Sequence, residues 1–411
     1  MFNSSSCLDM CLHLTKNSPS INALSHLPPI PLVIDYSDET RIMARKDEDN
    51  IHLGLQEHGR ICEIDLHAPS SSLHSWLGQM NQLFPRLTVL CLLSTTTEET
   101  SLVLPVTFQA PDLRYLRLQG IGLPKGLPLL SSAITLSTLS LTHIGASSYF
   151  PPGHLITQLQ GLPHLEKLSI GFAVPIPCPS SERELLHPPI SPVTLPSIRK
   201  FTFQGLGVYL DNLVAQINTP LLERLDLTLF FELAFTLVNL TEFIHRTEGF
   251  RCIVSQVTFN QGDVSISAGQ NKQPGIQKFR LRVKCKCLDW QIDSATQVCI
   301  ALGTVVSAVE ELTLDLDADG MISNWENTLD DMLWHELLLP FVGVKSLHIG
   351  SSLTLELSQA LGSVVGDLVP ELLPELQQIR VHLSMDDAKN AFSAFVETRV
   401  SVGRPIHLVI E

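Results

Sequence analysis

Ala110-Pro111-Asp112-Leu113-Arg114-Tyr115-Leu116-Arg117-Leu118 is the stretch that decides how this chain reads. Leu113, Leu116 and Leu118 follow the spacing apolar, two residues, apolar, one residue, apolar. Side chains alternate across a strand, so Leu116 and Leu118 share one face while Tyr115 and Arg117 take the other. Pro111 stands just ahead, where it ends a preceding helix and where a strand entry needs no ladder donor.

The same phrase recurs on both sides. It begins at Ile61-Ile64-Leu66 and Leu87-Leu90-Leu92, and continues through Leu136-Leu139-Leu141, Leu165-Leu168-Ile170, Ile198-Phe201-Phe203 and Leu222-Leu225-Leu227. It ends with Val254-Val257-Phe259, Ile276-Phe279-Leu281, Val309-Leu312-Leu314, Val344-Leu347-Ile349 and Leu376-Ile379-Val381. From Ile61 to Leu376 the chain takes 11 steps over 315 residues, about 29 per step, near the upper end of the leucine-rich-repeat range. Helical spacing fills many of the gaps: Leu73 to Leu83, Val208 to Ile217, Phe235 to Ile244, Trp290 to Val306, Leu329 to Leu338, Leu353 to Val365 and Asp386 to Thr398. Strand, crossover and helix in series predict parallel strands. The expected fold class is therefore α/β: an irregular leucine-rich-repeat-like solenoid, parallel strands on one face and helices on the other.

Residues 1–50 show no repeat phase and are expected to be an N-terminal arm, partly disordered or helical, ahead of a solenoid over 51–411. Seven prolines between Gly171 and Pro196 forbid a regular helix and predict a projecting loop over 171–196. Ile406 to Ile410 is expected to be the last strand. The composition, 44% hydrophobic and 17% charged, is that of a chain with ample core. A net charge of −15 argues against a nucleic-acid binder. Neither a secretory signal nor an apolar run of membrane-spanning length is visible, so the expected location is intracellular, cytoplasmic or nuclear, with no membrane partner. The nine cysteines are scattered, and Cys62, Cys91, Cys252 and Cys299 read as small buried hydrophobes.

The sharpest chemical match is Asp315-Asp317-Asp319-Gly320 with Ile322 and Glu326, which satisfies a calcium-loop pattern. Its context differs, because Leu312 and Leu314 are in strand phase where that loop needs a helix. Stacking Ile276 on Val309 shifts residue numbers by 33 and predicts a charge ladder: Lys278 beside Glu311, Arg282 beside Asp315, Lys284 beside Asp317, Lys286 beside Asp319. Alternatively, the basic stripe receives an acidic partner segment. Cys285-x-Cys287 and Cys7-x3-Cys11 lack a second pair at zinc spacing and read as core thiols, so no metal site and no cofactor is expected. There is no nucleophile elbow, phosphate loop or dinucleotide fingerprint, and the 171–196 loop offers no nucleophile and base pair, so no catalytic site is expected. The tryptophans read as helix core or helix-to-strand packing, with Trp325 a partly exposed contact.

Several runs carry a family likeness: Pro31-Leu32-Val33-Ile34, Ile64-Asp65-Leu66, Leu83-Phe84-Pro85-Arg86-Leu87, Ala110 to Leu118, and Asn218-Thr219-Pro220-Leu221-Leu222-Glu223-Arg224-Leu225. With them the chain resembles, over about residues 28 to 411, basidiomycete fungal F-box/leucine-rich-repeat-like proteins. The resemblance implies a protein-binding solenoid, the substrate-recognition part of an F-box-type ubiquitin ligase receptor. Its partners would be a protein substrate on the inner sheet face and, through an F-box lying upstream, a Skp-type adaptor and a cullin. Residues 1–27 carry no Leu-Pro-x-Glu-Ile/Leu phrase of an F-box start. A stand-alone interaction scaffold and a calcium-binding regulator working through 315–326 are the other readings. The candidate protein-binding residues follow the anchors by two, four or six places: Tyr115, Arg117, Lys200, Arg224, Lys278, Arg280, Arg282, Asp315, His348 and Arg380.

Overall fold

The computed structural model describes residues 12–15, 30–37, 45–96, 102–124, 128–176, 192–235, 237–247, 254–269, 278–316, 331–362, 372–382 and 385–410. The chain divides into two compact units, Met1–Gly205 with Gln216–Leu222, and Leu206–Ala215 with Glu223–Glu411. Both are mixed α/β.

The strands of the first unit are β1 (Leu12–Leu14), β2 (Leu32–Ser37), β3 (Ile61–Ala68), β4 (Val89–Ser94), β5 (Leu102–Val103), β6 (Tyr115–Gln119), β7 (Ile121–Gly122), β8 (Thr138–Ile144), β9 (Lys167–Phe172), β10 (Val193–Thr194), β11 (Lys200–Gly205) and β12 (Ile217–Asn218). Eight of them form a parallel sheet in the order β1-β2-β3-β4-β6-β8-β9-β11, while β5 pairs with β7 and β10 with β12. β1 and β2 lie within the stretch expected to be an arm outside the repeat. Leu32 and Ile34 pair with Ile61 and Ile64, so the sheet begins before the first recognisable phrase. β2 was hidden because its run Leu32-Val33-Ile34 is continuously apolar and so lacks the alternation of the later strands.

The phrase itself divides into a turn and a strand. In five phrases the first anchor precedes the strand, and its amide donates to the carbonyl three residues back: Leu87 to Phe84 (3.3 Å), Leu113 to Ala110 (3.2 Å), Leu136 to Ala133 (3.1 Å), Leu165 to Leu162 (3.2 Å) and Leu222 to Thr219 (3.2 Å), whereas Ile61 and Val254 open their strands themselves. Pro85, Pro111, Pro163 and Pro220 each occupy the second position of such a turn, which their fixed φ suits. The prolines thus shape turns, a tighter role than merely being tolerated at a strand entry. The remaining anchors, such as Leu90, Leu116, Leu139 and Leu168, pair in register across the sheet and are buried.

Helices cover this anchor face. A Cβ added at Gly54, in the helix Arg45–Gln56, would run into Leu14 and Ile34. Trp76, on the helix Ser70–Leu77, meets Tyr36 edge-on with ring centroids 6.2 Å apart. Leu83, expected on that helix face, lies beyond it in an isolated bridge to Gln109 and is exposed. The opposite face holds residues such as Tyr115 and Arg117, half-buried between their neighbours.

The second unit contains β13 (Arg224–Phe230), β14 (Val254–Phe259), β15 (Asp263–Gly269), β16 (Phe279–Lys284), β17 (Glu311–Leu316), β18 (Ser346–Ile349), β19 (Gln378–Val381) and β20 (His407–Ile410). Their sheet order is β13-β16-β15-β14-β17-β18-β19-β20. Here the all-parallel expectation is corrected: β14, β15 and β16 form an antiparallel meander inside an otherwise parallel sheet. The cause is local. A parallel crossover needs a dozen or more residues, and only Asn260, Gln261 and Gly262 separate β14 from β15. The Asn260 amide donates to the Asp263 carbonyl (2.9 Å) and its side-chain amide to the Asp263 carboxylate (2.8 Å), closing a hairpin. The meander sends β16 back beside β13 and leaves β14 beside β17.

Side-chain ties fasten helices to this sheet and to one another. Trp334 of the helix Asp331–Leu338 meets Phe259 edge-on at 5.6 Å. Asp211 accepts the Leu240 amide (3.0 Å) and the Asn239 side-chain amide (2.8 Å), and so satisfies an opening amide of the helix Val238–Arg246. Burial raises the Asp211 carboxyl above its ordinary range, and these donors oppose the rise. Gln291 donates to the carbonyls of Asn260 and Cys285, both at 2.7 Å. Trp290, expected in the core, is exposed and stacks on Phe231 at 5.1 Å.

Leu116→Ala should cost about 2–5 kcal/mol in chemical denaturation, against about 1 kcal/mol or less for Arg117→Ala on the other face; equal costs would contradict the assignment of faces. Asp211 has a raised folded pKa, so the folded state holds its proton more readily than the unfolded state. Its contribution therefore declines as pH rises out of the ordinary carboxylate range. Asp211→Asn should have a shallower fall in urea midpoint between about pH 4 and about pH 7 than the parent chain.

Candidate functional site

The ten candidate residues lie on strands or at a strand edge, on the face opposite the anchors. Tyr115, Arg117 and Lys200 belong to the first unit, and the other seven to the second. In the first unit the register aligns Glu63, Val89, Tyr115, Thr138, Lys167 and Lys200 in one row. A second row runs Asp35, Asp65, Cys91, Arg117, Ser140, Ser169 and Thr202. Tyr115 and Arg117 are therefore brought together, and the guanidinium donates to the phenol oxygen. Lys200 stands at the far end of its row.

The β3 and β4 ends of these rows carry a cluster not picked out among the candidates. Asp65 Oδ1 lies 3.0 Å from His67 Nε2, and Cys91 is the cross-strand neighbour of Asp65. The Cys91 thiol donates a hydrogen bond to the Asp65 carboxylate. Donor atoms of Asp65, His67 and Cys91 all lie within 4.8 Å of one another, the group of three among the described residues that could hold a metal ion. Burial, then the Asp65 charge, pushes the Cys91 thiol far above its ordinary range, with Arg117 opposing. This is the reverse of what a nucleophilic cysteine needs. Burial, then Asp65 and Asp35, likewise raises the Glu63 carboxyl, with His13 opposing.

In the second unit the meander overturns the expected charge ladder. Arg280 stands between Asp226 and Ser267, Arg282 between Thr228 and Ser265, and Lys284 between Phe230 and Asp263. Asp315 instead has Thr258 as its β14 neighbour, and its Oδ1 accepts the Leu316 amide (2.9 Å). Asp315 also packs against Gly350, where an added Cβ would collide with its carboxylate. Glu311 pairs in register with Val254 and Ser346, not with Lys278. Arg224 donates to the Asp226 carboxylate at 2.7 Å. Lys284 lies over the Phe230 ring, 5.2 Å from its centroid. His348 and Arg380 are cross-strand neighbours at the other end of the unit. Asp317, Asp319 and the rest of the 315–326 pattern beyond Leu316 lie outside the described residues, as does most of the 171–196 loop.

An open cavity of about 440 Å³ in the first unit is lined by Leu123, Tyr149, Phe150, Pro151 and His154 among others. Its walls are mainly apolar, with Ser147, Ser148, His154, Thr157 and Gln158 supplying polar groups. Among the described residues, no helix is long and apolar enough to cross a membrane. The described cysteines, Cys62, Cys91, Cys285, Cys287 and Cys299, are free thiols.

No family model matches the chain, and neither does any curated protein. Among solved structures it is similar to the leucine-rich repeat-containing protein LegL7 from Legionella pneumophila, at 12% identity over 94% of this chain and 97% of that one, with a TM-score of 0.28. A TM-score that low adds nothing to the strand register described above.

Arg282 and Asp315 sit on strands separated by β15 and β14, about 14 Å apart at strand spacing. Arg282→Gln and Asp315→Asn should therefore be additive within about 0.5 kcal/mol in a double-mutant stability cycle; a larger coupling would restore the direct ladder.

Proposed function

We propose that this protein is a non-catalytic, leucine-rich-repeat-like interaction scaffold that binds protein through the polar face of its sheets. The carrying observation is β16. Arg282 and Lys284 are exposed and follow half-buried Lys278 and Arg280 along one face. Arg282 is flanked by the hydroxyl side chains of Thr228 and Ser265. A basic stripe on a chain of net charge −15 is a local feature, not a reflection of bulk composition. Its complement is an acidic protein segment, steered and oriented by opposite charge. Long cationic side chains between short hydroxyls also leave room for an approaching carboxylate.

The finer reading is that the scaffold is the substrate-recognition part of an F-box-type ubiquitin ligase receptor. Its support is the set of phrases that resembles that family, Ala110 to Leu118 and Asn218 to Leu225 above all. Affinity purification of the tagged full chain from its source cells tests both levels. Recovery of a Skp-type adaptor and a cullin supports ligase coupling, and their consistent absence favours a stand-alone scaffold. The variant Arg282→Glu, at a position flanked by hydroxyls, should bind the recovered acidic partner about tenfold more weakly or worse, while circular dichroism shows it folded like the parent chain. Unchanged affinity would remove β16 as the docking stripe.

A further inference from the structure

We propose that Asp65, His67 and Cys91 form a binding site for a thiophilic divalent cation, with zinc the best match. The donor set is one carboxylate oxygen, one imidazole nitrogen and one sulfur. Calcium and magnesium take oxygen ligands, whereas zinc takes this mixture of sulfur, nitrogen and oxygen.

The sheet places the donors before any ion arrives. Asp65 and His67 are two apart on β3 and point to the same face. Cys91 is held opposite Asp65 by a parallel register that runs unbroken from Glu63–Val89 to Ala68–Ser94. Donors around a tetrahedral zinc lie about 3.3–3.8 Å apart, given bonds of about 2.0–2.3 Å. The observed Asp65–His67 separation of 3.0 Å and the 4.8 Å limit for the group bracket that range.

Two further observations point to a cation. Asp65 Oδ1 is shielded from solvent, and His67 Nε2 lies 3.0 Å from it. The carboxylate oxygen, the imidazole nitrogen and the sulfur thus converge on a common point. The surroundings are also acidic: Asp35 is the other cross-strand neighbour of Asp65, and Glu63 precedes it by two on the same face. Carboxylates directly opposite one another in a sheet repel, and a dication at the convergence point offsets that repulsion. Three protein ligands leave a fourth position open, the pattern of a zinc site that keeps a water or accepts an outside ligand, not that of a closed structural site. The open position lies on the polar face of the sheet, opposite the helices that cover the anchors.

The test uses the full chain, stripped of metal with a chelator and exchanged into metal-free buffer. Calorimetric titration with zinc chloride should show binding of one equivalent at this site. Cobalt(II) in place of zinc should give the intense absorption of a thiolate–cobalt bond. Cys91→Ser should abolish that absorption, and His67→Gln should weaken zinc binding at least about tenfold. Cys285→Ser, in the other unit, should change neither. Circular dichroism of each variant reports folding, and Asp65→Asn serves as a further ligand variant if Cys91→Ser does not fold. An absence of zinc binding by the parent chain would overturn the proposal. So would a thiolate–cobalt band that survives in Cys91→Ser, because the metal would then sit on other cysteines.

Discussion

The structure depends on a small turn repeated before its strands. The first anchor of a phrase turns its amide back to the carbonyl three residues earlier, as in Leu113 to Ala110 and Leu376 to Leu373. That hydrogen bond sets the direction in which the next strand leaves, and the strand then pairs in parallel with the previous one. Once direction and register are set, alternation does the rest. One set of side chains is driven under the helices and the other is left on the opposite face. Where a proline holds the second turn position, the geometry is present before folding and less chain entropy is lost. Leu136 shows that the turn also forms without one, on Ile134 and Thr135.

The two faces follow different physical rules. The anchor face is close-packed and apolar, and its residues matter through volume. On the opposite face, cross-strand identity matters more, because each side chain meets two partners fixed by register. The same geometry therefore gives quite different neighbourhoods: Asp35, Asp65 and Cys91 side by side in the first unit, and Arg282 between two hydroxyls in the second. Neither neighbourhood can be changed by moving a loop. Both change only if a strand shifts its pairing.

The fold was largely legible because the phrase repeats: strands β3, β4, β6, β8, β9, β11, β13, β14 and β16 to β19 fall where the anchors predict. Failures came where the pattern weakens. β2 is apolar throughout, and β15 carries Val264, Ile266 and Ala268 in alternation but no phrase of its own, so the hairpin went unseen. The error in the charge ladder followed directly. Successive phrases are not always spatial neighbours: two strands stand between the one that follows Ile276 and the one that follows Val309. The Asp65–His67–Cys91 cluster has no signature in spacing along the chain, because its donors come from adjacent strands. Stacking Ile61 on Leu87 shifts numbers by 26 and would have placed Asp65 beside Cys91.

The Asn260–Asp263 hairpin also has a consequence for assembly. In a chain whose strands dock in order, each new strand finds its template already in place, and structure can grow residue by residue from one end. Between β13 and β17 that order fails. The neighbour of β13 is β16, made about fifty residues later, so β14 and β15 must wait unattached or form a free-standing hairpin first. Closing so long a loop before its contacts form slows the step. The meander thus adds long-range pairing to the second unit, because β13 pairs with a strand about fifty residues away and not with the next one along the chain. By the same token, a phrase in this region cannot be lost or duplicated singly without leaving the sheet with mismatched strand directions.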